Sequence, residues 1–384
     1  DLILKYADEL AELEALDNGK PFTVARAADV ALSADIFHYM AGWATKLHGL
    51  TIPISASGGN FHSYTRLEPV GVVGQIIPWN FPLLMAAWKL SPALTTGCTV
   101  ILKVAEETPL SAIRLGEILL EAGLPDGVVN IVTGFGETAG AALAAHPQVD
   151  KIAFTGSTEV GRLIVNAASG NLKKVTLELG GKSPNIVLKD ADLNVAIAGA
   201  ANAIFFNHGQ CCNAGSRLYV EREIFDEVAE GVANIANKIK LGSGMDAQTQ
   251  MGPLVSDIQL NRVCGYLDSA YKEGAKALCG GKKREGAGYF VEPTVLVDAS
   301  QQMKIVQEEI FGPVVVAMPF KEVDEKLIQQ ANDSIYGLAA GVWTRDISKA
   351  HKIANQLKAG TVWVNCYNVF DAALPFGGYK QSGW

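Results

Sequence analysis

Lys151-Ile152-Ala153-Phe154-Thr155-Gly156-Ser157-Thr158-Glu159-Val160-Gly161 combines a short strand, a glycine turn and the start of a helix. The mainly apolar run from Lys151 to Phe154 predicts a buried strand, and the pattern that follows predicts a helix over residues 158–167. Free backbone N–H groups and the positive end of such a helix could bind a pyrophosphate. On these residues alone, an ordinary capped helix is the simpler interpretation.

The same strand-to-helix order recurs on the N-terminal side of this segment. The predicted strands cover residues 70–77, 99–103 and 128–132, and the predicted helices cover residues 82–96, 109–122 and 138–145. Strands that alternate with helices favour right-handed crossovers and a parallel sheet covered on both faces. Gly134 and Gly136 also follow a predicted strand, but the next glycine, Gly140, comes one position too late for a G-x-G-x-x-G dinucleotide motif.

A second α/β region is predicted after residue 181. Its predicted strands cover residues 185–188, 314–318, 340–343 and 361–364, and its predicted helices cover residues 193–205, 224–238 and 257–273. The alternation is interrupted between residues 51 and 67, where β-prone residues flank the turn Ser57-Gly58-Gly59-Asn60 and predict a hairpin. On the residues alone, this hairpin is an ordinary surface feature.

Composition limits the functions open to the chain. Of its 384 residues 49% are apolar and 19% are charged, which is a soluble globular composition with enough apolar residues for two or more domains. A net charge of −8 and a pI near 5.4 argue against nucleic-acid binding, which requires clustered lysine and arginine. No apolar run has the length of a membrane span. We therefore expect neither a nucleic acid nor a membrane as partner.

The cysteines and histidines predict neither a disulfide framework nor a metal site. The six cysteines are Cys98, Cys211, Cys212, Cys264, Cys279 and Cys366. They form no C-x-x-C pair, which favours a reducing compartment and hence a cytoplasmic location. The six histidines form no H-E-x-x-H motif, and no cysteine–histidine group has zinc spacing.

Two segments near the middle of the chain predict a reaction centre. One is Leu177-Glu178-Leu179-Gly180-Gly181-Lys182-Ser183-Pro184, and the other is Phe205-Phe206-Asn207-His208-Gly209-Gln210-Cys211-Cys212. Glu178 offers a base beside paired glycines, and Cys212 offers a sulfur nucleophile in a Gly-Gln-x-Cys frame. This pairing suits acyl chemistry through a thioester. We expect Cys211 on an extended strand, with its side chain facing away from that of Cys212.

These two segments resemble the glutamate and cysteine signatures of the NAD-dependent aldehyde dehydrogenase superfamily. The resemblance runs from Asp1 to Trp384, with the motifs in the family's order. It implies an α/β fold of the aldehyde dehydrogenase type, with a Rossmann-type NAD-binding domain over residues 1–50 and 68–180 and a catalytic α/β domain over residues 181–384. The hairpin at residues 51–67 becomes an arm for oligomerisation, in a homodimer or homotetramer.

The ends of the chain resemble those of a family member that lacks an N-terminal stretch and a C-terminal tail. The chain begins without methionine, within a predicted amphipathic helix, and stops in a glycine-rich motif at Trp384. A targeting signal in the N-terminal stretch therefore cannot be judged from these residues.

The resemblance implies NAD as cofactor and a set of residues that bind it. Gly156, Ser157 and Gly161 match the family's Gly-x-x-x-x-Gly phosphate site, which departs from the usual Rossmann spacing. Lys103 ends a predicted strand, and the Glu106 carboxylate could accept hydrogen bonds from both ribose hydroxyls and repel an added 2′-phosphate, which favours NAD over NADP. An ordinary solvated Lys–Glu pair is the alternative. The other implied cofactor residues are Ile77, Pro78, Trp79, Gly136, Leu179, Gln259, Glu309 and Phe311.

The reaction implied is oxidation of an aldehyde to its carboxylic acid. Cys212 would add to the carbonyl, while the Asn80 amide and the Cys212 backbone N–H stabilise the oxyanion. Glu178 would then activate the water that hydrolyses the thioester, and Lys89 matches a lysine near the family's proton path. Read without the family, Asn80 could instead cap the helix that begins at Pro82, and Lys89 could be an ordinary snorkelling lysine.

Six positions match the wall of the family's aldehyde tunnel, namely Phe81, Leu84, Met85, Trp88, Phe206 and Phe370. The first four follow i, i+3, i+4, i+7 spacing and share one helix face, which could equally belong to the core. A tunnel with such walls predicts an apolar substrate tail. Residues 365–371 resemble bacterial phenylacetaldehyde dehydrogenase-type members, which implies an aromatic or medium-chain aliphatic aldehyde.

Three other functions remain open from the sequence. A CoA-acylating dehydrogenase would pass the acyl group to coenzyme A, although it would have no need of Glu178 as base. A Cys–His hydrolase would pair Cys212 with a histidine such as His208, and it would leave Lys103, Glu106 and Gly156 without a role. A non-catalytic binding or structural member of the same fold is the third possibility.

Overall fold

The structure is a computed structural model that describes residues 1–384. Its strands are β1 (Val72–Ile76), β2 (Thr99–Lys103), β3 (Val129–Val132), β4 (Lys151–Thr155), β5 (Lys174–Glu178), β6 (Pro184–Val187), β7 (Arg217–Glu221), β8 (Lys276–Cys279), β9 (Thr294–Val297), β10 (Val314–Phe320), β11 (Tyr336–Gly337), β12 (Ala339–Trp343), β13 (Thr361–Val364) and β14 (Tyr379–Lys380). Its α-helices are α1 (Leu2–Lys5), α2 (Ala7–Asp17), α3 (Phe22–Val24), α4 (Ala31–Ala41), α5 (Pro82–Thr95), α6 (Leu110–Glu121), α7 (Ala141–Ala145), α8 (Thr158–Ala168), α9 (Leu193–Phe205), α10 (Phe225–Ala236), α11 (Asp257–Lys272), α12 (Lys304–Gln307), α13 (Glu325–Asn332) and α14 (Ile347–Gln356). Ala25–Val30 and Gly136–Gly140 are π-helical and lead into α4 and α7.

The first sheet has five strands in the order β3-β2-β1-β4-β5, and every neighbouring pair is parallel. Helices α5 and α6 pack with it in one buried cluster, and α7 and α8 pack with it in another. This confirms the α/β sheet predicted from the alternating pattern. Because parallel strands end at the same edge, Lys103, Thr155 and Glu178 lie at the carboxyl edge, where ligands bind in open α/β sheets.

The second sheet has seven strands in the order β13-β12-β6-β7-β10-β9-β8. Only the edge pair β8–β9 is antiparallel. Helices α9 and α10 contribute to one buried cluster on this sheet, and α11 to α14 contribute to a second. The chain passes from the first sheet to the second between Glu178 and Pro184. The division into two domains near residue 180 stays a prediction, and this change of sheet supports it.

The segment at residues 51–67 pairs with itself at its open end. Thr51 and Tyr64 form an antiparallel bridge, and the Ile52 N–H donates to Ser63 O at 2.9 Å. No regular strand extends beyond this bridge, so the structure shows a short hairpin-like loop. Six large apolar side chains of residues 50–67 are between 44% and 67% exposed, namely those of Leu50, Ile52, Ile54, Phe61, Tyr64 and Leu67. These side chains have no core of their own to pack in.

The predicted helices and strands end within two residues of the observed ones, counting the π-helical turn with α7. Strands β5, β7, β8, β9, β11 and β14 were not predicted. Of these, β5 was overlooked although Lys-Val-Thr-Leu-Glu alternates polar and apolar residues, which is the pattern of a half-buried strand. The expected strand around Cys211 is wrong. Cys211 and Cys212 lie in an irregular loop between a 3₁₀ turn and β7.

No helix of the structure combines the length and apolar character that crossing a bilayer requires.

Candidate active site

A cavity of about 600 Å³ lies at the carboxyl edge of the first sheet, against the loop that carries the two adjacent cysteines. Segments that follow β1, β4 and β5 form one side of it, and the cysteine loop and the residues after α12 form the other. The cavity brings together most of the predicted residues, which are Pro78, Trp79, Asn80, Phe81, Leu84, Met85, Trp88, Lys89, Gly156, Ser157, Glu178, Leu179, Phe206, Cys212, Gln259, Glu309, Phe311 and Phe370. Five predicted cofactor residues do not line it, namely Ile77, Lys103, Glu106, Gly136 and Gly161.

Cys212 is half-buried, and its thiol opens into this cavity. Burial raises the pKa of the thiol to about 12, and the nearby carboxylates of Glu309 and Glu178 contribute to the rise. The backbone N–H groups of Cys212 and Asn213 act in the opposite direction by donating towards the sulfur. The resting thiol is therefore protonated near neutral pH and requires a base before it can attack. Cys211 is 5% exposed and contributes to the buried cluster formed with α9 and α10.

Asn80 is buried beside the cysteine loop. Its side-chain Nδ2 donates to Gln210 O at 2.9 Å, two residues before Cys212. It does not cap α5: the first N–H groups of that helix have no local side-chain acceptor, and the Leu83 N–H donates instead to Glu14 Oε1 at 2.9 Å. An amide group has two N–H donors. One is bound to the loop, which fixes the direction of the other.

Glu178 ends β5 at the wall of the cavity. Burial raises the pKa of its carboxyl to about 7, against a lowering effect of Lys89, and Oε2 has no hydrogen-bond partner. The strand around it is also paired on its outer side, where the Leu177 N–H donates to Trp384 O and the Leu179 N–H donates to Ser382 O, both at 2.9 Å. A half-buried carboxyl that titrates near neutrality can take up and release a proton.

Lys89 lies on α5 and faces the same cavity. Burial lowers the pKa of its ammonium to about 8, although the nearby Glu178 carboxylate opposes the change. Neither group has a hydrogen-bonded charge partner, so burial moves the pKa of each towards neutrality. The two side chains therefore form a loosely coupled acid–base pair at one wall.

Glu309 approaches the reaction centre from the opposite side. Its Oε1 accepts a hydrogen bond from the Gly181 N–H at 2.9 Å, and burial raises the pKa of its carboxyl to about 7. A side chain at residue 180 would collide with this carboxylate, and one at residue 181 would collide with Cys212 O. The paired glycines are therefore required for the close approach of Glu309 and the cysteine loop.

Helix α11 holds the segment that contains Glu309 and Phe311. Gln259 Nε2 donates to Phe311 O at 2.6 Å, and an Arg262 guanidinium N–H donates to Glu309 O at 2.8 Å. The Phe311 ring meets the Trp79 ring edge to face, with centroids 5.2 Å apart. These contacts give the cavity two aromatic surfaces close to the glutamate.

The start of α8 contributes Gly156 and Ser157 to the cavity. Ser157 Oγ caps the helix by accepting from the Val160 N–H at 3.2 Å. The remaining N–H groups of the first turn have no intrahelical acceptor, which makes this end a site for an anion. Gly161 lies one turn on, where a side chain would collide with Leu179. It acts by close packing and not by lining the cavity.

Lys103, Glu106 and Gly136 form a separate group where β2 and β3 end. Lys103 Nζ is 2.7 Å from Glu106 Oε2, and the Gly136 N–H donates to Glu106 Oε1 at 3.0 Å. Burial acts to raise the pKa of the Glu106 carboxyl, but the hydrogen bonds from Lys103 and from backbone N–H groups bring it below the ordinary value. Glu106 is thus held as a charged acceptor. The pair is not the simple solvated one considered above, because the Lys103 side chain is 3% exposed.

Aromatic rings line the other end of the cavity. Trp88, Phe370 and Phe376 meet edge to face with centroids 5.7–6.4 Å apart, and Phe81 stacks with Phe206 at 6.1 Å. Together with Leu84 and Met85 they form an apolar tunnel, so the shared helix face on α5 lines a cavity. Phe376 was missed in the sequence, although it directly precedes the glycine pair at 377–378.

Several polar residues of the cavity wall were not predicted as site residues. They are Asp29, Asn202, Asn213 and Asn368, which lie on four separated segments. Asn213 Nδ2 donates to Asn368 Oδ1 at 2.6 Å across 155 residues of chain. Only the folded chain shows this proximity.

His208 has no access to the cavity. It is 1% exposed, its Nδ1 lies 3.3 Å from Gln210 Nε2, and burial lowers its pKa to about 3. An imidazole in that state cannot take a proton from Cys212 at neutral pH. The Cys–His hydrolase interpretation is therefore wrong for this histidine.

Comparison with known proteins agrees with this site. The sequence profile of the aldehyde dehydrogenase family matches residues 1–384. The chain is 57% identical to the DhaS protein of Bacillus subtilis (strain 168) over 383 residues, 100% of this chain and 77% of that protein. It is 55% identical to the mitochondrial aldehyde dehydrogenase of Homo sapiens over 384 residues, 100% of this chain and 74% of that protein.

Solved structures show the same likeness. The NAD+ complex of aldehyde dehydrogenase from Bacillus cereus matches with a TM-score of 0.98 and 55% identity, covering 100% of this chain and 77% of that one. Both sequence and structure therefore match over the whole of residues 1–384. The chain belongs to the aldehyde dehydrogenase family of enzymes.

Proposed function

We propose that this enzyme oxidises an apolar aldehyde to the carboxylic acid with NAD, through a thioester on Cys212 that water hydrolyses. One observation supports this more than any other: Cys212, Asn80 and Glu178, from three distant parts of the chain, line one cavity. They supply a nucleophile, an oxyanion donor and a base, which is the minimum that the chemistry requires.

The residues present fit NAD. The Glu106 carboxylate, kept charged by Lys103 and Gly136, suits the two hydroxyls of a ribose, and the open start of α8 at Gly156 and Ser157 suits a pyrophosphate. Glu309 and the aromatic pair Trp79 and Phe311 line the same cavity as the thiol-bearing loop. The Bacillus cereus relative was solved with NAD+ bound, which supports the same cofactor here. When bound, NAD supplies the acceptor for the hydride that leaves the substrate carbon.

The first step is addition of the Cys212 thiol to the aldehyde carbon. Because the pKa of that thiol is about 12, its proton must leave as the carbon–sulfur bond forms, and two carboxylates that could accept it, those of Glu309 and Glu178, line the same cavity. The carbonyl electron pair moves to oxygen, where the free N–H of the Asn80 amide and the Cys212 backbone N–H stabilise it. One such donor contributes about 10²- to 10³-fold in rate. Loss of the hydride with its electron pair then leaves the thioester.

The second step is hydrolysis of this thioester. Glu178 takes a proton from the attacking water, the tetrahedral oxygen again meets the Asn80 donor, and the sulfur leaves when the carbonyl re-forms. With a pKa near 7, Glu178 is about half ionised at neutral pH and can accept a proton and release it in each turnover. Lys89 beside it, with a pKa near 8, is placed to pass that proton on.

The tunnel supports an aromatic or medium-chain aliphatic substrate, of which phenylacetaldehyde is an example. Its walls, formed by the rings of Phe81, Trp88, Phe206, Phe370 and Phe376 with Leu84 and Met85, reward buried apolar area. Edge-to-face rings such as Trp88, Phe370 and Phe376 favour a planar ring as a further member.

A panel of aldehydes tests the proposal. The enzyme is mixed with NAD or NADP and with aromatic, aliphatic and charged aldehydes, and NADH absorbance and acid product are measured. We expect phenylacetaldehyde and medium-chain aldehydes to give the largest kcat/KM with NAD. Activity confined to short or charged aldehydes would contradict the tunnel argument. Steady NADH formation that requires added coenzyme A and gives acyl-CoA as product would show acyl transfer in place of hydrolysis. Glu178 argues against that alternative.

The exposed apolar arm supports assembly with a second copy of the chain. Six large apolar side chains of residues 50–67 are exposed in the single chain, and burying them against a second copy would remove that surface from water. Light scattering should therefore give a homodimer or homotetramer, and Ile52→Asp with Phe61→Asp should shift it towards the monomer. A wild-type monomer at micromolar concentration would contradict this. The expected cytoplasmic location stays a prediction.

A further inference from the structure

Three charged side chains are buried behind the Asn80 segment. Lys20 Nζ lies 2.7 Å from Asp29 Oδ1 and 3.5 Å from Glu14 Oε2, and all three side chains are 0% exposed. Asp29 also reaches the cavity wall. We call Glu14, Lys20 and Asp29 the buried cluster. None of the three belongs to the chemistry proposed above.

Residues near the start of the chain hold the Asn80 segment at consecutive points. Asn18 Nδ2 donates to Trp79 O at 2.8 Å, and Lys20 Nζ donates to Asn80 O at 3.2 Å. Glu14 accepts from the Leu83 N–H, the contact that caps α5. The backbone from residue 79 to residue 83 is thus fixed from behind. Lys20 contacts the residue whose side chain faces the reaction centre.

The front of the same residue is tied to the cysteine loop. The Asn80 amide donates to Gln210 O, while Asn207 Nδ2 donates both to Asn80 O at 2.9 Å and to Gln210 O at 3.2 Å. Asn80 O therefore accepts from Lys20 on one side and from Asn207 on the other. These two donors together fix the backbone carbonyl of Asn80, and with it the backbone from which the side-chain amide extends.

Stability alone is a poor reason for the buried cluster. Taking a lysine and two carboxylates out of water carries a desolvation penalty that their attraction often fails to exceed, and apolar residues of similar volume frequently stabilise as well. One oxygen of Asp29 and one of Glu14 also have no hydrogen-bond partner. What the cluster does provide is an ammonium group held at a fixed point against Asn80 O.

We propose that Lys20, held by Asp29 and Glu14, is a positioning residue for the oxyanion donor Asn80. This inference rests on the role assigned to Asn80 under the proposed function. Lys20 does not touch the substrate. It fixes the backbone from which the Asn80 amide is directed, so that its loss should slow formation of the tetrahedral oxyanion and leave substrate affinity nearly unchanged.

The test variant is Lys20→Met with Asp29→Asn, which removes the cation together with the anion closest to it. The matched control is Lys173→Met. Lys173 is a buried lysine whose Nζ likewise donates to backbone carbonyls, Ala144 O at 2.7 Å and His146 O at 2.8 Å, outside the cavity. Both variants lose a buried ammonium, but only one loses it beside Asn80.

The readout is acylation of Cys212 by p-nitrophenyl acetate without NAD, because this ester forms the same tetrahedral oxyanion with no hydride transfer. The p-nitrophenolate burst rate should fall about tenfold in the double variant and stay within about twofold of wild type in Lys173→Met, with KM changed little in either. In an Asn80→Ala background the same double substitution should cost less than about twofold, because residues that act through one another are not additive.

Equal losses with and without Asn80, or an undiminished burst in the double variant, would overturn the inference. If the double variant fails to fold, Lys20→Arg keeps the charge but moves the donor, and it should show a smaller loss that also vanishes in the Asn80→Ala background. Wild-type enzyme that gives a p-nitrophenolate burst but no NADH from any aldehyde would contradict the proposed function and not this inference.

Discussion

Two glutamates at the carboxyl edge of the first sheet have pKa values shifted in opposite directions. Glu106, where β2 ends, is paired with Lys103 at 2.7 Å and accepts from the Gly136 N–H, and its pKa lies below the ordinary value although burial opposes this. Glu178, where β5 ends, has an oxygen with no partner, and burial raises its pKa to about 7. Both residues sit at the same edge of the same sheet.

The difference matches the roles proposed for the two carboxylates. A group that only binds must stay charged, so the fold gives it donors. A group that moves protons must be able to exist in both its protonated and its ionised form near neutral pH. Such a group is therefore buried and has few hydrogen-bond donors around it. The same holds for Cys212 and Lys89, whose burial favours their neutral forms. The carboxyl at the proposed reaction end is thus buried and poorly paired, and the one at the proposed binding end is well paired.

Removal of the Cys212 sulfur should have the largest effect on activity and should separate the two ends most clearly. Cys212→Ala should lower NADH formation by about 10⁴-fold or more, because no covalent intermediate can form. NAD binding, measured by calorimetry, should be unchanged, since the binding end does not depend on the thiol. Cys264→Ala, a half-buried thiol on α11 outside the cavity, is the control and should retain activity. Substantial turnover in Cys212→Ala would refute the covalent route.

Glu178→Gln separates the two chemical steps. We expect one equivalent of NADH per active site in a first burst, followed by steady turnover about 10²- to 10³-fold slower, since the thioester lacks its base. Rapid-mixing absorbance and mass spectrometry of the acylated enzyme measure this. If steady turnover matches wild type, another group is the base. Loss of the burst as well would show that Glu178 is needed to take the thiol proton.

The pH dependence reports on the same carboxyl without a mutation. Glu178 acts as a base only when ionised, and its pKa is raised to about 7. Steady turnover should therefore decline as pH falls through 7, by about tenfold per unit well below that value, and level off above it. In Glu178→Gln this inflection should be absent. An inflection near the ordinary glutamate value would mean that the carboxyl is better solvated than its surroundings suggest.

The smallest expected effect lies at the binding end. Glu106→Gln should lower the ratio of kcat/KM for NAD over NADP by about tenfold, because the repulsion towards a 2′-phosphate is lost while the Lys103 ammonium remains. Glu107→Gln removes the same charge from the next residue, which is also exposed, and should leave the ratio unchanged. Equal ratios in all three proteins would place cofactor discrimination elsewhere.

Much of the fold was predictable because it depends on local pattern. Strand β2 and helix α9 were predicted to the residue, since short apolar runs and long periodic ones are the clearest signals. Strand β5 was missed although its alternation is typical of a half-buried strand, and its partners lie in β4 and near residue 383. Tertiary pairing sets the structure of such segments.

The site was predictable where motif and chemistry coincide, and not where distant residues meet. Glu178, Asn80 and Cys212 belong to short motifs whose residue types suggest their roles. Asp29 and Asn213 belong to none, and only folding brings them to the cavity, where Asn213 meets Asn368. The expectation for Cys211 was wrong for the same reason: the loop that carries it follows contacts with distant residues, such as that of Cys212 O with Gly181.

The outer pairing of β5 ties Glu178 to a distant part of the chain. The Leu177 N–H donates to Trp384 O, the Leu179 N–H donates to Ser382 O, and Ser382 Oγ donates to Gly180 O across about 200 residues. Contacts of such long sequence separation form late in folding. The wall of the cavity that carries Glu178 is therefore complete only once residues 382–384 have paired with β5.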